Sequence, residues 1–276
     1  SGASSPASMT LADTIEGVGC IARDSVQHTG TDILFLSDSG VRSFGRTIQE
    51  KSMPMRDISK NVRTDLMHLV PLQTNAIKSV YSADEAFYLI TLPDSNLVYS
   101  FDMRSPLEDG SQRATSWSSL LPLSLTTLED GTIYFGLATG IVKYSGYLDG
   151  TANYQMRYFS NPMDFGNASN LKFLKKFTIT IIGGQNTDST LNWGYDYTTN
   201  FTKQVFRLSG TSNAGEYGLS EYNTTAEYTA SAVINTPKVN TSGSGEVVTI
   251  GVESELNGSP FSIQKIDIHA LLGRLI

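Results

Sequence analysis

Three copies of one short pattern constrain the fold of this chain. In Asp32–Arg46 the apolar run Ile33-Leu34-Phe35-Leu36 meets the polar turn Ser37-Asp38-Ser39-Gly40, and a second run follows from Val41. Ala86–Met103 has the same layout around Pro93-Asp94-Ser95-Asn96, and Thr132–Tyr147 has it around Ala138-Thr139-Gly140. Two β-type runs around a short Gly- or Asn-bearing turn read as a hairpin. Aligned on the first residue after each turn, the hairpins lie 56 residues apart (Val41 to Leu97) and then 44 (Leu97 to Ile141). A self-similar unit of that length built from short strands is the signature of a β-propeller blade.

The flanking sequence completes the blades. Ala76–Tyr81 precedes the second hairpin and Ala114–Leu120 follows it, while Leu123–Leu128 precedes the third. Ile21–Gln27 reads as the lead strand of the first. The unit is therefore one lead strand, a hairpin and one trailing strand, which makes four strands per blade. Met9–Ile15 reads as a trailing strand with no blade before it, and the third unit has no clear fourth strand. Three blades cannot close a ring, so the expectation is that further blades lie upstream of Ser1. The alternative is that Met9–Ile15 returns to finish the third unit. One helix interrupts the pattern: in Asp57–Pro71, Val62, Leu66 and Leu69 fall at helical spacing, with Asp57 or Ser59 as cap and Pro71 as stop. It reads either as a plug on the propeller or as a subunit contact.

Near Gly150 the repeat stops. Asn153–Ser160, Leu171–Ile182, Thr190–Tyr197, Thr202–Leu208, Tyr228–Ile234, Glu246–Glu253 and Phe261–Ala270 read as strands, with Asn257-Gly258 as a hairpin turn between the last two. Seven strands in that span predict a β-sandwich or jelly roll. The fold expected is all-β: a partial β-propeller of about three four-stranded blades with one inserted helix over residues 1–150, then a β-sandwich over 151–276. Composition agrees, because only 17% of residues are charged and the polar remainder is Ser, Thr, Asn and Gly, which disfavours a helical protein.

Chemistry is sparse. The three histidines, His28, His68 and His269, form no HExxH or H-x-H pair. Cys20 is alone, so an intrachain disulfide and cysteine-ligated zinc are excluded; its apolar neighbour Ile21 makes it read as a buried structural thiol. There is no GxSxG elbow, and Gly183-Gly184 lacks the spacing of a phosphate-binding loop. Propeller glycosidases need two facing acids, and the candidates are Asp24, Asp38, Asp94, Glu129 and Asp130. Asp38, Asp94 and Asp130 fall in turns, where Asp bonds local backbone, and no sialidase Asp-box is intact. The chain reads as non-enzymatic, with no catalytic, cofactor or metal residues. Glu216-Tyr217, Glu221-Tyr222 and Glu227-Tyr228 repeat a Glu-Tyr pair, either anchoring a long loop or offering tyrosines to a sugar. Five Asn-x-Ser/Thr sequons, at Asn167, Asn200, Asn223, Asn240 and Asn257, are expected by chance in such a composition. The net charge of −7 and the absence of a polybasic run argue against a surface that grips DNA by phosphate neutralisation. No apolar run reaches the ~20 residues of a membrane span.

Gly19–Val26, followed by Phe35–Val41, resembles the blade motif of the tail nozzle proteins of short-tailed bacteriophages, also called tail tubular protein B or packaged-DNA stabilisation protein. Leu171–Lys176, Glu216-Tyr217-Gly218, Glu221-Tyr222 and Ile266–Ile268 with Leu272–Leu275 are similar to the sandwich that follows the propeller in such proteins. Members of that family are longer at the N-terminus, which agrees with missing blades. The resemblance implies a structural protein of the virion, located in the phage tail. It implies a homohexameric ring, built from head-to-tail contacts, below the portal and tail adaptor. That ring would support tail fibres or a needle, continue the DNA channel without sequence-specific binding, and help retain and eject the genome. The alternative is a glycan-binding propeller-plus-sandwich module, lectin- or adhesin-like, using the Glu216–Tyr228 loop.

Overall fold

A computed structural model describes residues 18–45, 57–184, 186–209 and 233–275. The chain is all-β and divides into two compact units, Ser1–Tyr144 and Ser145–Ile276.

The first unit is built from three consecutive antiparallel sheets. The first sheet holds β1 (Gln27–His28), β2 (Ile33–Ser37) and β3 (Gly40–Ser43). The second holds β4 (Lys78–Ser82), β5 (Phe87–Leu92), β6 (Leu97–Asp102) and β7 (Arg113–Trp117), in that order across the sheet. The third holds β8 (Ser124–Thr127), β9 (Ile133–Leu137) and β10 (Gly140–Lys143). All three hairpins form where the repeat places them, closing at Ser37–Gly40, Leu92–Leu97 and Leu137–Gly140. The middle turn is a short 3₁₀ segment, Pro93–Ser95, closed by Asn96 in the left-handed region at φ 48°. First strands sit side by side, β4 lying against both β1 and β8. This is the arrangement of consecutive propeller blades.

The cores explain the composition of each blade. The second sheet is covered on both faces, so every residue of β5 is buried. Tyr88, Ile90 and Leu92 face a core shared with Leu34, Leu36 and Val41 of the first sheet. Phe87 and Leu89 face another, shared with Ile133 and Phe135 of the third. That is why AFYLITL is a continuous apolar run. In β9 only one face is covered, and Tyr134 and Gly136 alternate with Ile133 and Phe135.

Only the second sheet has four strands among the described residues. Beside β3 the fourth position is taken by Asp57–Ser59: the Ile58 N–H donates to the Val41 carbonyl (3.2 Å) and the Val41 N–H donates to Ser59 Oγ (2.9 Å). Met9–Ile15 lies outside the described residues. The lead strand expected over Ile21–Gln27 is reduced to Gln27–His28, preceded by a 3₁₀ turn at Arg23–Ser25. Ser25 explains the difference. Its Oγ donates to the Ala22 carbonyl (2.6 Å) and accepts from the Leu36 N–H (2.9 Å), while the Tyr88 hydroxyl donates to its carbonyl (2.7 Å). Such side-chain bonds compete with a strand ladder.

The inserted helix is composite: a 3₁₀ turn (Lys60–Val62), α1 (Arg63–Leu69) and a second 3₁₀ turn (Val70–Leu72) that contains Pro71. Leu66 is fully buried in the core between the first two sheets, with Val62 and Leu69 packed beside it; burying one such leucine contributes about 2 kcal/mol. Neither Asp57 nor Ser59 caps α1, whose N-cap is Val62 with no side-chain bond. The Ser59 hydroxyl is spent on the edge of β3, where it accepts from the Val41 N–H, and on Asp57, to which it donates.

The second unit is a β-sandwich. One sheet has the order β11 (Tyr154–Phe159), β18 (Val248–Leu256), β13 (Asp188–Tyr195), β14 (Thr202–Arg207). The other is centred on β12 (Asn170–Gly183). Along one side of it run the short strands β15 (Ile234–Asn235), β16 (Lys238–Asn240) and β17 (Ser244–Gly245), and along the other runs β19 (Phe261–Leu275). Leu174, Phe177, Ile179 and Ile181 of β12 share one core with Leu191 and Trp193 of β13 and with Val248, Ile250 and Val252 of β18.

Asn257-Gly258 does not make a hairpin. Both sides of β18 are taken, by β11 and β13, so β19 cannot pair with it. The chain crosses to the other sheet instead, and β19 pairs with β12. Bulges account for broken alternation in these two strands. An extra residue at Gln264 lets Ile263 and Ile266 both face the core, and an extra residue at Lys175 does the same for Leu174 and Phe177.

Candidate functional site

The carboxylates weighed for catalysis act as structural braces. Asp94 accepts from the Asn75 N–H (2.9 Å) and Thr74 Oγ1 (3.0 Å), and also from the Thr74 N–H. These bonds, the Asn75 N–H first, lower its pKa to about 2. Asp24 pairs with Arg23 and with Lys78 of β4, and is also held at about 2, chiefly by Arg23. Asp130 accepts from the Thr132 N–H (2.9 Å), which lowers its pKa. A glycosidase acid needs the opposite shift. Asp38 lies in the turn between β2 and β3, and Glu129 in the turn between β8 and β9.

His28, His68 and His269 lie on β1, α1 and β19, and His28 Nδ1 accepts from the Gly30 N–H (3.1 Å). Among the described residues no group of three His, Cys, Asp or Glu could hold a metal. Cys20 is exposed rather than buried, its thiol donating to the Ala22 carbonyl (3.1 Å). The neighbouring Ile21 is itself exposed, so the apolar neighbour did not signal a core position. The repeated Glu-Tyr pairs over Glu216–Tyr228 lie outside the described residues.

Two surfaces remain. The first is the third sheet. β10 pairs with β9 only, so its outer edge is open among the described residues. Ile141, in that strand, is 79% exposed. The corresponding edges of the other two sheets carry β7 and Asp57–Ser59. An open strand edge with an apolar side chain beside it is a template for pairing with another chain. Only residue spacing hinted at it, through the missing fourth strand.

The second surface is the outer face of the β12 sheet. There the register aligns Asn240, Lys176 and His269 in one row, Lys238, Thr178 and Asp267 in the next, and Thr180 and Lys265 in a third. No sequence signal marked it, because its lysines come from separate segments.

Comparison with protein-family models and with curated proteins returns no match. No helix among the described residues is long and apolar enough to cross a membrane.

Proposed function

We propose that this protein is a structural subunit of a short-tailed phage tail, a nozzle ring that continues the DNA channel and helps retain and deliver the genome. The observation that carries the reading is the edge of β10, open among the described residues, with Ile141 exposed in that strand. A rigid blade with one unfilled strand position is suited to a head-to-tail contact, in which two different surfaces of the subunit meet. The choice of a nozzle within the class of assembly proteins comes from the blade motif of Gly19–Val26 and Phe35–Val41. The carboxylates in braced, ionised states support a structural role over hydrolysis.

Negative-stain electron microscopy of the protein, alone and mixed with the tail adaptor, tests the proposal. Six-fold rings with a central channel are the expected result. Monodisperse single particles in both samples would sink it, and binding on a glycan array would then favour the lectin-like reading.

A further inference from the structure

The chain carries a net charge of −7, yet the outer face of the β12 sheet is cationic. Its three rows present Lys176, Lys238 and Lys265, with Asp267 as the one carboxylate among them. Lys238, Lys265 and His269 are exposed, as is Lys175 in the adjoining bulge. Lys265 contacts Asp267 at 2.8 Å. The opposite sheet differs: on its outer face Arg157 sits beside Glu253, and Asp188 pairs with Arg207. The sign bias belongs to one face of the sandwich.

The geometry of that face selects its ligand. Each row carries one lysine, and rows two residues apart along a strand are spaced by about 7 Å. The lysines stand on three strands, Lys176 on β12, Lys238 on β16 and Lys265 on β19, so the positive charge is spread over the face rather than gathered at one point. Spread single charges suit a polymer that carries many single negative charges. Thr178, Thr180 and Asn240, between the lysines, add neutral hydrogen-bond donors of the kind that contact phosphate oxygens. None of the eight residues in the three rows is an arginine, and the one aromatic ring among them is the His269 imidazole. Bidentate reading of guanine by arginine therefore has no means here.

We infer that the outer face of the β12 sheet binds the phosphate backbone of double-stranded nucleic acid, without sequence preference, through Lys176, Lys238 and Lys265. The contact is local and stands against an acidic background, so it is weak and reversible. It uses a different surface from β10 and does not depend on the ring.

Fluorescence anisotropy of the whole protein against a labelled DNA duplex, across a salt series, tests it. Neutralising three phosphates gives a slope of log affinity on log salt of about −2.7, or about a 40-fold loss between roughly 50 and 200 mM salt. The triple variant K176Q/K238Q/K265Q should lose at least about tenfold in affinity at low salt and most of the slope. Asp267→Asn should bind more tightly than the native protein. Tryptophan fluorescence, to which Trp193 in the buried core of the same unit contributes, checks that each variant is folded. Absence of salt-dependent duplex binding, or a folded triple variant that binds like the native protein, would overturn the inference. Tighter binding to a sulfated glycan than to duplex DNA would overturn it too, and would name that polymer instead. Microscopy of the same samples reports rings separately from the binding curve, so the failure of one proposal is distinguishable from the failure of the other.

Discussion

Asn192 and Lys172 show how polar residues are treated inside the sandwich. Both are fully buried. The Lys172 amine donates to the backbone carbonyls of Glu246 and Asn167, which ties β12 to two neighbouring turns. Asn192 has no such use: among the described residues neither its amide oxygen nor its amide nitrogen has a hydrogen-bond partner. It points away from the core that Leu191 and Trp193 face, toward the side where Phe159 rests on Gly251 and Phe201 on Gly194, the two rings 5.3 Å apart. Desolvating an unpaired amide costs about 1–3 kcal/mol. Asn192→Leu should therefore raise stability by about 1 kcal/mol, read as a higher urea midpoint of tryptophan fluorescence. A lower midpoint would show that the amide is satisfied in solution. Gly183 is constrained in the opposite way. It sits at φ +85°, and a Cβ there would lie 1.9 Å from the Pro260 carbonyl oxygen.

At the scale of elements, turns are fastened by carboxylates. Asp94, at the tip of the β5–β6 hairpin, accepts the backbone N–H groups that lead into β4. Folding lowers its pKa to about 2 from an ordinary 3.8. The stabilisation is therefore complete above the ordinary value and is lost as pH falls through the folded one. Asp94→Asn should melt at a lower temperature near neutral pH. Its melting temperature should also fall less than that of the native protein between about pH 4 and about pH 2. Equal falls in both proteins would mean that the bonds to Thr74 and Asn75 do not persist in solution. Edges are the other feature of this scale. Among the described residues, two of three blades have an occupied fourth position, one by a full strand and one by three residues and a serine hydroxyl, and β10 has neither.

For the whole molecule, the proposed ring turns on that unfilled edge. Ile141→Asp places a charge where a neighbour would pack and disturbs little else, since the side chain is already exposed. Its circular dichroism should match that of the native protein, while sedimentation velocity should show monomers where the native protein forms rings. Rings that survive the substitution would move the contact away from β10. Net charge is also a property of the whole molecule. A sum of −7 argued against a surface that grips DNA by phosphate neutralisation, but a sum carries no position, and Lys238 and Lys265 come onto one face with Lys176 only through pairing with β12.

Local patterns decided what was legible. Hairpins, the helix α1 and most sandwich strands follow from contiguous residues, because turn chemistry and side-chain periodicity act over a few positions. Partner choice was not legible. Asn257-Gly258 has hairpin chemistry, yet β18 had both edges filled by strands distant in sequence. Ser25 broke a strand because Leu36 and Tyr88 reached it, and Ser59 left its helix for Val41. The sequence by itself determined the elements and the all-β class. Tertiary structure alone decided which edges stay open and which charges share a face, because those depend on pairings between segments tens of residues apart.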